Sequence, residues 1–365
     1  MALAERKQIP GNIGIERELL APHIAFRRHL PKKTLDPKEL FREYPDYAQK
    51  GPEYVTTNLG TSKLYETDPK DTNDRYAPGN LAVDLVNDTR QKPDIIIAVT
   101  SHLPQPDRNN PNAQRVAANI RSRLATWDMA ENQATPDNSK TVSAACCGFV
   151  VALDWLREKN PRGANVLVVV DETGYRQTLP HPSEDQGKAG LLFSDAAVAF
   201  QGQYGQDFEV LASEIFLLPE HSDLLHMRVT PYDPNDPFLL VHLIPYNDHF
   251  SMNGPRLRRI FEREITNEKV NALMECAGVS QKDLAFAASH QASKPMVTHT
   301  YELFPNVPYR PEGIGIYGNT SSASIPLDVQ DGLEQGAIKA GDKGFLLAFG
   351  AGLMWAGAVV RFGES

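Results

Sequence analysis

Cysteine is scarce in this chain: three residues in 365, two of them adjacent. That makes a poor disulfide framework and points to free thiols in a reducing, cytoplasmic setting. Long apolar runs are missing as well. The most apolar tract, Phe345 to Val360, is short for a membrane span and is interrupted by Gly350, Gly352 and Gly357. It reads as a buried strand, a turn and a second strand. The segment Met1 to Lys7 lacks the apolar core of a secretion signal. Positive charge is outnumbered, with 37 Lys and Arg against 46 Asp and Glu and a net charge of −9, which argues against a general nucleic-acid binder. No metal motif such as His-Glu-x-x-His is present.

What remains is an ordinary globular composition, 41% hydrophobic, enough for one large or two coupled domains. Short apolar runs at 94–100, 165–170, 238–244 and 344–349 predict strands. Helical patterns intervene at 80–87, 112–125, 148–158, 256–277 and 324–335. Strands alternating with helices predict an α/β protein with mostly parallel, buried sheets. Gln201 to Gln206 is loop-like and suits a boundary between two halves.

Three segments carry chemistry. In Ser143-Ala144-Ala145-Cys146-Cys147-Gly148-Phe149, small residues lead to a cysteine and a long amphipathic stretch follows. This predicts a thiol at the N-terminal end of a buried helix, where the dipole and unpaired N–H groups favour the thiolate. The other two are Ser289-His290-Gln291-Ala292 and Tyr317-Gly318-Asn319-Thr320-Ser321-Ser322-Ala323-Ser324. A lone cysteine is usually a small buried hydrophobe, and an Asn after Gly is usually a turn former. The order of the segments outweighs those readings.

Together with a glycine-rich stretch, Phe349-Gly350-Ala351-Gly352-Leu353-Met354-Trp355-Ala356-Gly357, the chain resembles the β-ketoacyl synthase III branch of the thiolase superfamily over about residues 24–362. The resemblance implies a thiolase fold, two similar halves in a five-layered αβαβα arrangement. Residues 1–21 are then an N-terminal extension, 22–205 the half with the cysteine, and 206–365 the half with the histidine and asparagine. It implies Cys146 as nucleophile, His290 and Asn319 as its catalytic partners, and the backbone N–H groups of Cys146 and Ala351 as an oxyanion hole. Tyr54, Phe349, Gly350 and Gly352 are candidate substrate contacts, and Cys147 is expected to pack against the second half. No cofactor or metal is expected; acyl-CoA or acyl carrier protein and a malonyl thioester are the implied substrates. A homodimer, without nucleic-acid or membrane partners, is expected. The implied reaction is ping-pong: acyl transfer to Cys146, then decarboxylative Claisen condensation, in specialised polyketide or fatty-acid-derived metabolism. An acyltransferase moving the acyl group from Cys146 to an oxygen or nitrogen nucleophile is the alternative, and a non-catalytic partner subunit ranks third.

Departures from the family pattern limit the substrate. The usual Phe-Gly-Asp-Gly-Ala reads Phe193-Ser194-Asp195-Ala196-Ala197, and Ser293 stands where Asn is usual. The stretch aligned with the coenzyme A contact, Glu53 to Thr61, offers Tyr54 for stacking but lacks the nearby arginines. Residues 127–139 look inserted, and the expected helix 112–123 carries no acidic residue. Two basic clusters, Arg27-Arg28 with Lys32-Lys33 and Arg256 to Arg259, are either solvated faces or contacts for an acidic carrier helix or phosphates.

Overall fold

The computed structural model describes residues 24–41, 53–68, 70–75, 77–101, 139–142, 144–173, 190–227 and 250–363. The extension 1–21, the strand expected at 238–244, the helix expected at 112–125 and residues 127–138 lie outside them. In chain order the strands are β1 (Ala25–His29), β2 (Lys33–Leu35), β3 (Leu64–Glu66), β4 (Ile95–Val99), β5 (Ser139–Val142), β6 (Asn165–Asp171), β7 (Ala197–Gln203), β8 (Phe208–Leu217), β9 (Leu225–Met227), β10 (Phe250–Met252), β11 (Leu284–Ser289), β12 (Lys343–Gly350) and β13 (Met354–Phe362).

Two large sheets result. The first has the order β1-β7-β6-β4-β5 and the second β11-β12-β13-β8. Their pairing follows one scheme. In the first, β4 runs parallel to β6, and β7 and β1 follow antiparallel. In the second, β11 runs parallel to β12, and β13 and β8 follow antiparallel. The sheets are therefore mixed rather than mostly parallel. A three-residue turn between β12 and β13 can only return the chain antiparallel, whereas a parallel neighbour needs a crossover helix. Short apolar runs read alike in both cases, which is why the sequence patterns did not separate them.

Crossover helices fill the space between the sheets. Gly148–Lys159 precedes β6 and Ser324–Glu334 precedes β12. Phe149, Leu153 and Leu156 of the first, with Ile325, Leu327 and Val329 of the second, share one core with Val168 and Val170 of β6 and Leu346 and Ala348 of β12. Full burial of each such side chain is worth roughly 1.5–3 kcal/mol. The helix Ala77–Thr89 packs Leu81, Ala82, Leu85 and Val86 on the outer face of the first sheet. Helices Gly254–Glu264 and Asn267–Cys276 cover the outer face of the second through Leu257, Ile260, Phe261, Val270 and Leu273. Helix, sheet, helix pair, sheet and helix make five layers.

The single helix expected over 256–277 is two. Ile265 and Thr266 adopt extended backbone, and the Thr266 hydroxyl accepts the Lys269 N–H at 3.5 Å as the cap of the second helix. The first basic cluster is split: Lys32 and Lys33 are exposed, as a solvated face would be, whereas Arg28 is half-buried in an ion-pair network. Arg27 pairs with Asp88, Arg28 with Asp331 and Glu334, Lys32 with Asp71 and Lys33 with Glu66. In the second cluster Arg256 faces Asp223 at 3.8 Å and Arg258 bonds Glu262 at 2.6 Å. No helix among the described residues is long and apolar enough to cross a membrane.

Candidate active site

Both central helices begin at the same end of their sheets, and the candidate residues gather there. After β5 the chain turns tightly. Ala145 adopts a left-handed φ of 45°, the Cys147 N–H donates to the Ala144 carbonyl at 3.0 Å, and the Gly148 N–H donates to that of Ala145 at 3.1 Å. The helix then runs from Gly148, with Cys147 at its cap position. Gly148 has to be small, because a Cβ there would come within 2.7 Å of Val99 Cγ1 at the end of β4. Cys146 is thereby presented just ahead of the helix, as the spacing predicted. On its other side lies the end of β12, where a Cβ on Gly350 would stand 3.0 Å from the Cys146 backbone N.

The second half supplies a matching turn. Asn319 is held by its backbone, donating to the Leu192 carbonyl at 3.0 Å and accepting the Ser194 N–H at 2.8 Å. Its side-chain Oδ1 accepts the Ser321 N–H at 2.9 Å, and its Nδ2 donates to the Ala292 carbonyl at 3.3 Å. Ser321 is the second non-glycine residue of the site in left-handed backbone, at φ 52°. Its hydroxyl donates to Cys146 Sγ at 3.4 Å. Residues held in sparsely populated backbone cluster at functional sites because the surrounding structure must over-determine them.

His290 follows β11, its N–H bonded to the Leu347 carbonyl at 2.8 Å. Its Nδ1 meets Ser324 Oγ at 2.9 Å. That hydroxyl donates to the Ser321 carbonyl at 2.8 Å, so its oxygen is left to accept from Nδ1–H and from the Gln291 N–H at 3.3 Å. A carbonyl only accepts, which fixes the direction of the chain of bonds and leaves the lone pair of neutral His290 on Nε2. Ser321 and Ser324 thus tie Cys146, His290 and Asn319 into one cluster.

Burial dominates the electrostatics. The Cys146 thiol is pushed up to about 12 by desolvation; the Ser321 hydrogen bond pulls the other way, and the charge of Glu172 pushes in the same direction as burial. The thiolate expected from the helix end is therefore not the resting form. His290 is pushed down to about 4 by desolvation, so its imidazole is neutral at neutral pH. Cys147 is fully buried, its thiol raised by burial and placed 3.8 Å from the Met354 carbonyl of the second half, where it was expected to pack.

The remaining candidates are spread out. Gly350 abuts the Cys146 backbone, and Ala351 and Gly352 form the following turn, Gly352 with φ 121°. Phe349 faces the other way, its ring 5.1 Å from that of Phe261 in the outer core of the second half. Tyr54 is half-buried against the cluster of Phe41, Val55 and Leu191. The altered segment Phe193 to Ala197 lies beside Asn319: Phe193 bridges to it, Ser194 Oγ accepts the Tyr65 N–H at 2.7 Å, and Asp195 accepts the Thr67 N–H at 2.8 Å. Sequence reasoning passed over Ser321 and Ser324 as mere followers of Asn319, and it missed Glu172. The signal for Glu172 was available, since an acidic pair, Asp171-Glu172, directly ends the apolar run of β6.

Comparison with known proteins agrees with this architecture. The family model described as 3-oxoacyl-[acyl-carrier-protein (ACP)] synthase III C terminal matches residues 274–362. A β-ketoacyl-[acyl-carrier-protein] synthase III of Halalkalibacterium halodurans is 28% identical over 319 residues, covering 86% of this chain and 90% of the relative. The crystal structure of 3-oxoacyl-[acyl-carrier-protein] synthase III from Aquifex aeolicus superposes with a TM-score of 0.71 at 23% identity, covering 93% of this chain and 99% of that one. Over most of its length the chain is similar to β-ketoacyl synthases III, and its C-terminal segment matches that family. Its fold is the thiolase fold, shared also with the priming β-ketosynthase of the R1128 polyketide pathway at a TM-score of 0.71 and 21% identity over 97% of this chain. In this β-ketoacyl synthase III-like chain the family-matched segment contains β11, His290, Asn319 and the glycine turn, while Cys146 lies in the other half.

Proposed function

We propose that the protein is a condensing enzyme in which Cys146 carries an acyl group and a malonyl thioester supplies the carbon nucleophile. The observation that carries this reading is the convergence of Cys146, His290 and Asn319 on the Ser321–Ser324 turn at the facing ends of the two central helices. Acyl thioesters of coenzyme A or of acyl carrier protein would be the donors.

In the first half-reaction Cys146 Sγ attacks the thioester carbonyl as its proton leaves. Neutral His290, with its lone pair on Nε2, is the base that this site offers. The backbone N–H groups of Cys146 and Ala351 receive the developing oxyanion, and Gly350 has no Cβ to crowd that approach. The carrier thiol departs with a proton and Cys146 keeps the acyl group as a thioester. In the second half-reaction the malonyl thioester carbonyl sits against Asn319 Nδ2 and His290, whose imidazole donates once Nε2 carries a proton. Loss of carbon dioxide leaves an enolate on that oxygen. The enolate carbon attacks the acyl carbonyl on Cys146, the C–S bond breaks, and the departing sulfur takes the proton that His290 Nε2 has taken up from water, which frees the thiol with a β-ketoacyl thioester as product. Each well-aimed donor is worth roughly 3–4 kcal/mol at the transition state. Two copies of the chain would pair along β5, the edge strand of the first sheet among the described residues.

One observation favours a second reading. An unprotonated Nε2 on His290 suits deprotonation of an alcohol or amine attacking acyl-Cys146, which is acyl transfer without condensation. The two separate on one assay. With an acyl donor and a malonyl thioester, condensation releases one carbon dioxide per β-ketoacyl product. Acyl consumption that needs an added alcohol or amine and releases no carbon dioxide would replace the first reading with the second.

A further inference from the structure

Glu172 is a buried carboxyl that none of these steps uses. It comes directly after β6, and its N–H donates to the Ala196 carbonyl at 2.9 Å, which fixes its backbone on the sheet. Three donors meet its side chain. Ser101, just past β4, contributes its N–H at 3.0 Å and its hydroxyl. Ser322, in the turn of the second half, contributes its hydroxyl. Ser322 follows Ser321, whose hydroxyl reaches Cys146 Sγ, and it also backs Gly148, where a Cβ would meet Ser322 Cβ at 3.4 Å. One carboxyl therefore ties the ends of β4 and β6 to the turn that holds the thiol's hydrogen-bond donor.

We propose that Glu172 is a positioning residue for Cys146: it anchors the Ser321–Ser322 turn so that the Ser321 hydroxyl meets Sγ, and, buried in contact with that turn, it sets the charge beside the thiolate that forms there. The inference rests on Cys146 being the nucleophile. A buried carboxyl is costly when ionised and cheap when neutral and hydrogen-bonded. Protonated, Glu172 donates to one serine oxygen while accepting from the other hydroxyl and from the Ser101 N–H. Desolvation pushes it up to about 8, against the pull of the Ser101 and Ser322 hydrogen bonds. Among the described residues, the titratable groups acting with it are Asp171 on its own strand, whose charge opposes its ionisation, and Cys146, whose thiolate its own charge opposes. The β4 end and the second-half turn present the Ser101 and Ser322 hydroxyls. As pH rises through about 8, Glu172 ionises and the thiolate becomes harder to form.

The test is site-resolved alkylation of the full-length protein by iodoacetamide, read by peptide mass spectrometry across that pH, in wild type, Glu172→Gln, Glu172→Ala and Ser322→Ala. Gln keeps an acceptor at the turn and cannot ionise. The ratio of Cys146 alkylation in Glu172→Gln to that in wild type should climb by about three- to tenfold as pH passes 8, while Glu172→Ala and Ser322→Ala slow Cys146 at every pH. A Glu172→Gln profile parallel to wild type overturns the proposal, because a merely structural carboxyl would give that result. If Glu172→Ala fails to fold, Glu172→Gln and Ser322→Ala still decide it. A Cys146 that stays unmodified in wild type while exposed Cys276 reacts overturns the nucleophile reading as well, and so is distinct from failure of this inference alone.

Discussion

The helices Gly148–Lys159 and Ser324–Glu334 occupy equivalent places in the two halves. Each lies between the sheets, each leads into the strand that takes a parallel neighbour, and each follows closely on a non-glycine residue in left-handed backbone, Ala145 or Ser321. Their contents differ. The first buries an apolar face and presents one thiol, Cys146, ahead of its first turn. The second is buried from Ser324 to Leu333 and carries Asp328, Gln330 and Asp331 into the interior, Asp331 being paired with Arg28 of β1 and with the Tyr317 hydroxyl. On the proposed reading, one helix start offers the atom that reacts, and the other offers donors and the polar network that holds them.

The same comparison shows what a helix end can do for a thiol. Its dipole is worth about 0.3–2 kcal/mol. The rise of Cys146 from 9.0 to about 12 corresponds to about 4 kcal/mol in the opposite direction. Burial wins, so the resting group is a thiol, and the second half must supply both a base and a hydrogen bond for the thiolate to form.

The division of labour can be broken at several points. Cys146→Ala should lower acyl transfer by roughly 10⁴-fold or more, whereas Cys147→Ala should leave an acylated protein and show its effect in thermal unfolding. His290→Ala and Asn319→Ala should each cut carbon dioxide release from a malonyl thioester by roughly 10²–10³-fold. Asn319→Ala should still form the acyl adduct, and loss of that adduct would mean the two helix starts do not divide the work. Gly350→Ala brings a methyl to 3.0 Å from the Cys146 N; steady-state kinetics should show kcat down by about 10²-fold with circular dichroism unchanged. Ser321→Ala removes a bond of about 1 kcal/mol, so alkylation of Cys146 should slow by about fivefold at fixed pH.

A separate effect, on stability rather than on rate, is one of linkage. Glu172 has its carboxyl raised from 4.5 to about 8 in the fold, so the folded state holds a proton that the unfolded chain has lost. That contribution is complete below pH 4.5 and is lost as pH rises toward 8. Urea unfolding should therefore show wild type losing stability relative to Glu172→Gln across that window. Parallel curves would place the carboxyl in a more solvated setting than the hydrogen bonds describe.

Much of this was legible in the sequence, for identifiable reasons. Cys146, His290 and Asn319 each sit in a segment with fixed neighbours, and the helix at 148–158 and the strands at 94–100, 165–170 and 344–349 rest on apolar patterns that tertiary contacts reinforced. The break at Ile265-Thr266 was missed because a helical apolar period continues across it while the cap acts through one hydroxyl. Antiparallel and parallel pairing were not separable in fully buried strands. The pairing of Arg28 with Asp331, 303 residues apart, and the bond from Ser322 to Glu172, 150 residues apart, depend on the two halves meeting, which no local pattern encodes. The raised thiol is of the same kind, since burial of Cys146 comes from both halves closing over it.

The most direct test of the account is intact-protein mass spectrometry after incubation with a panel of acyl-coenzyme A and acyl carrier protein donors, with Cys146→Ala and Cys147→Ala alongside. The account predicts a single acyl adduct that survives Cys147→Ala and disappears in Cys146→Ala. An adduct that depends on Cys147, or none with any donor, would contradict it.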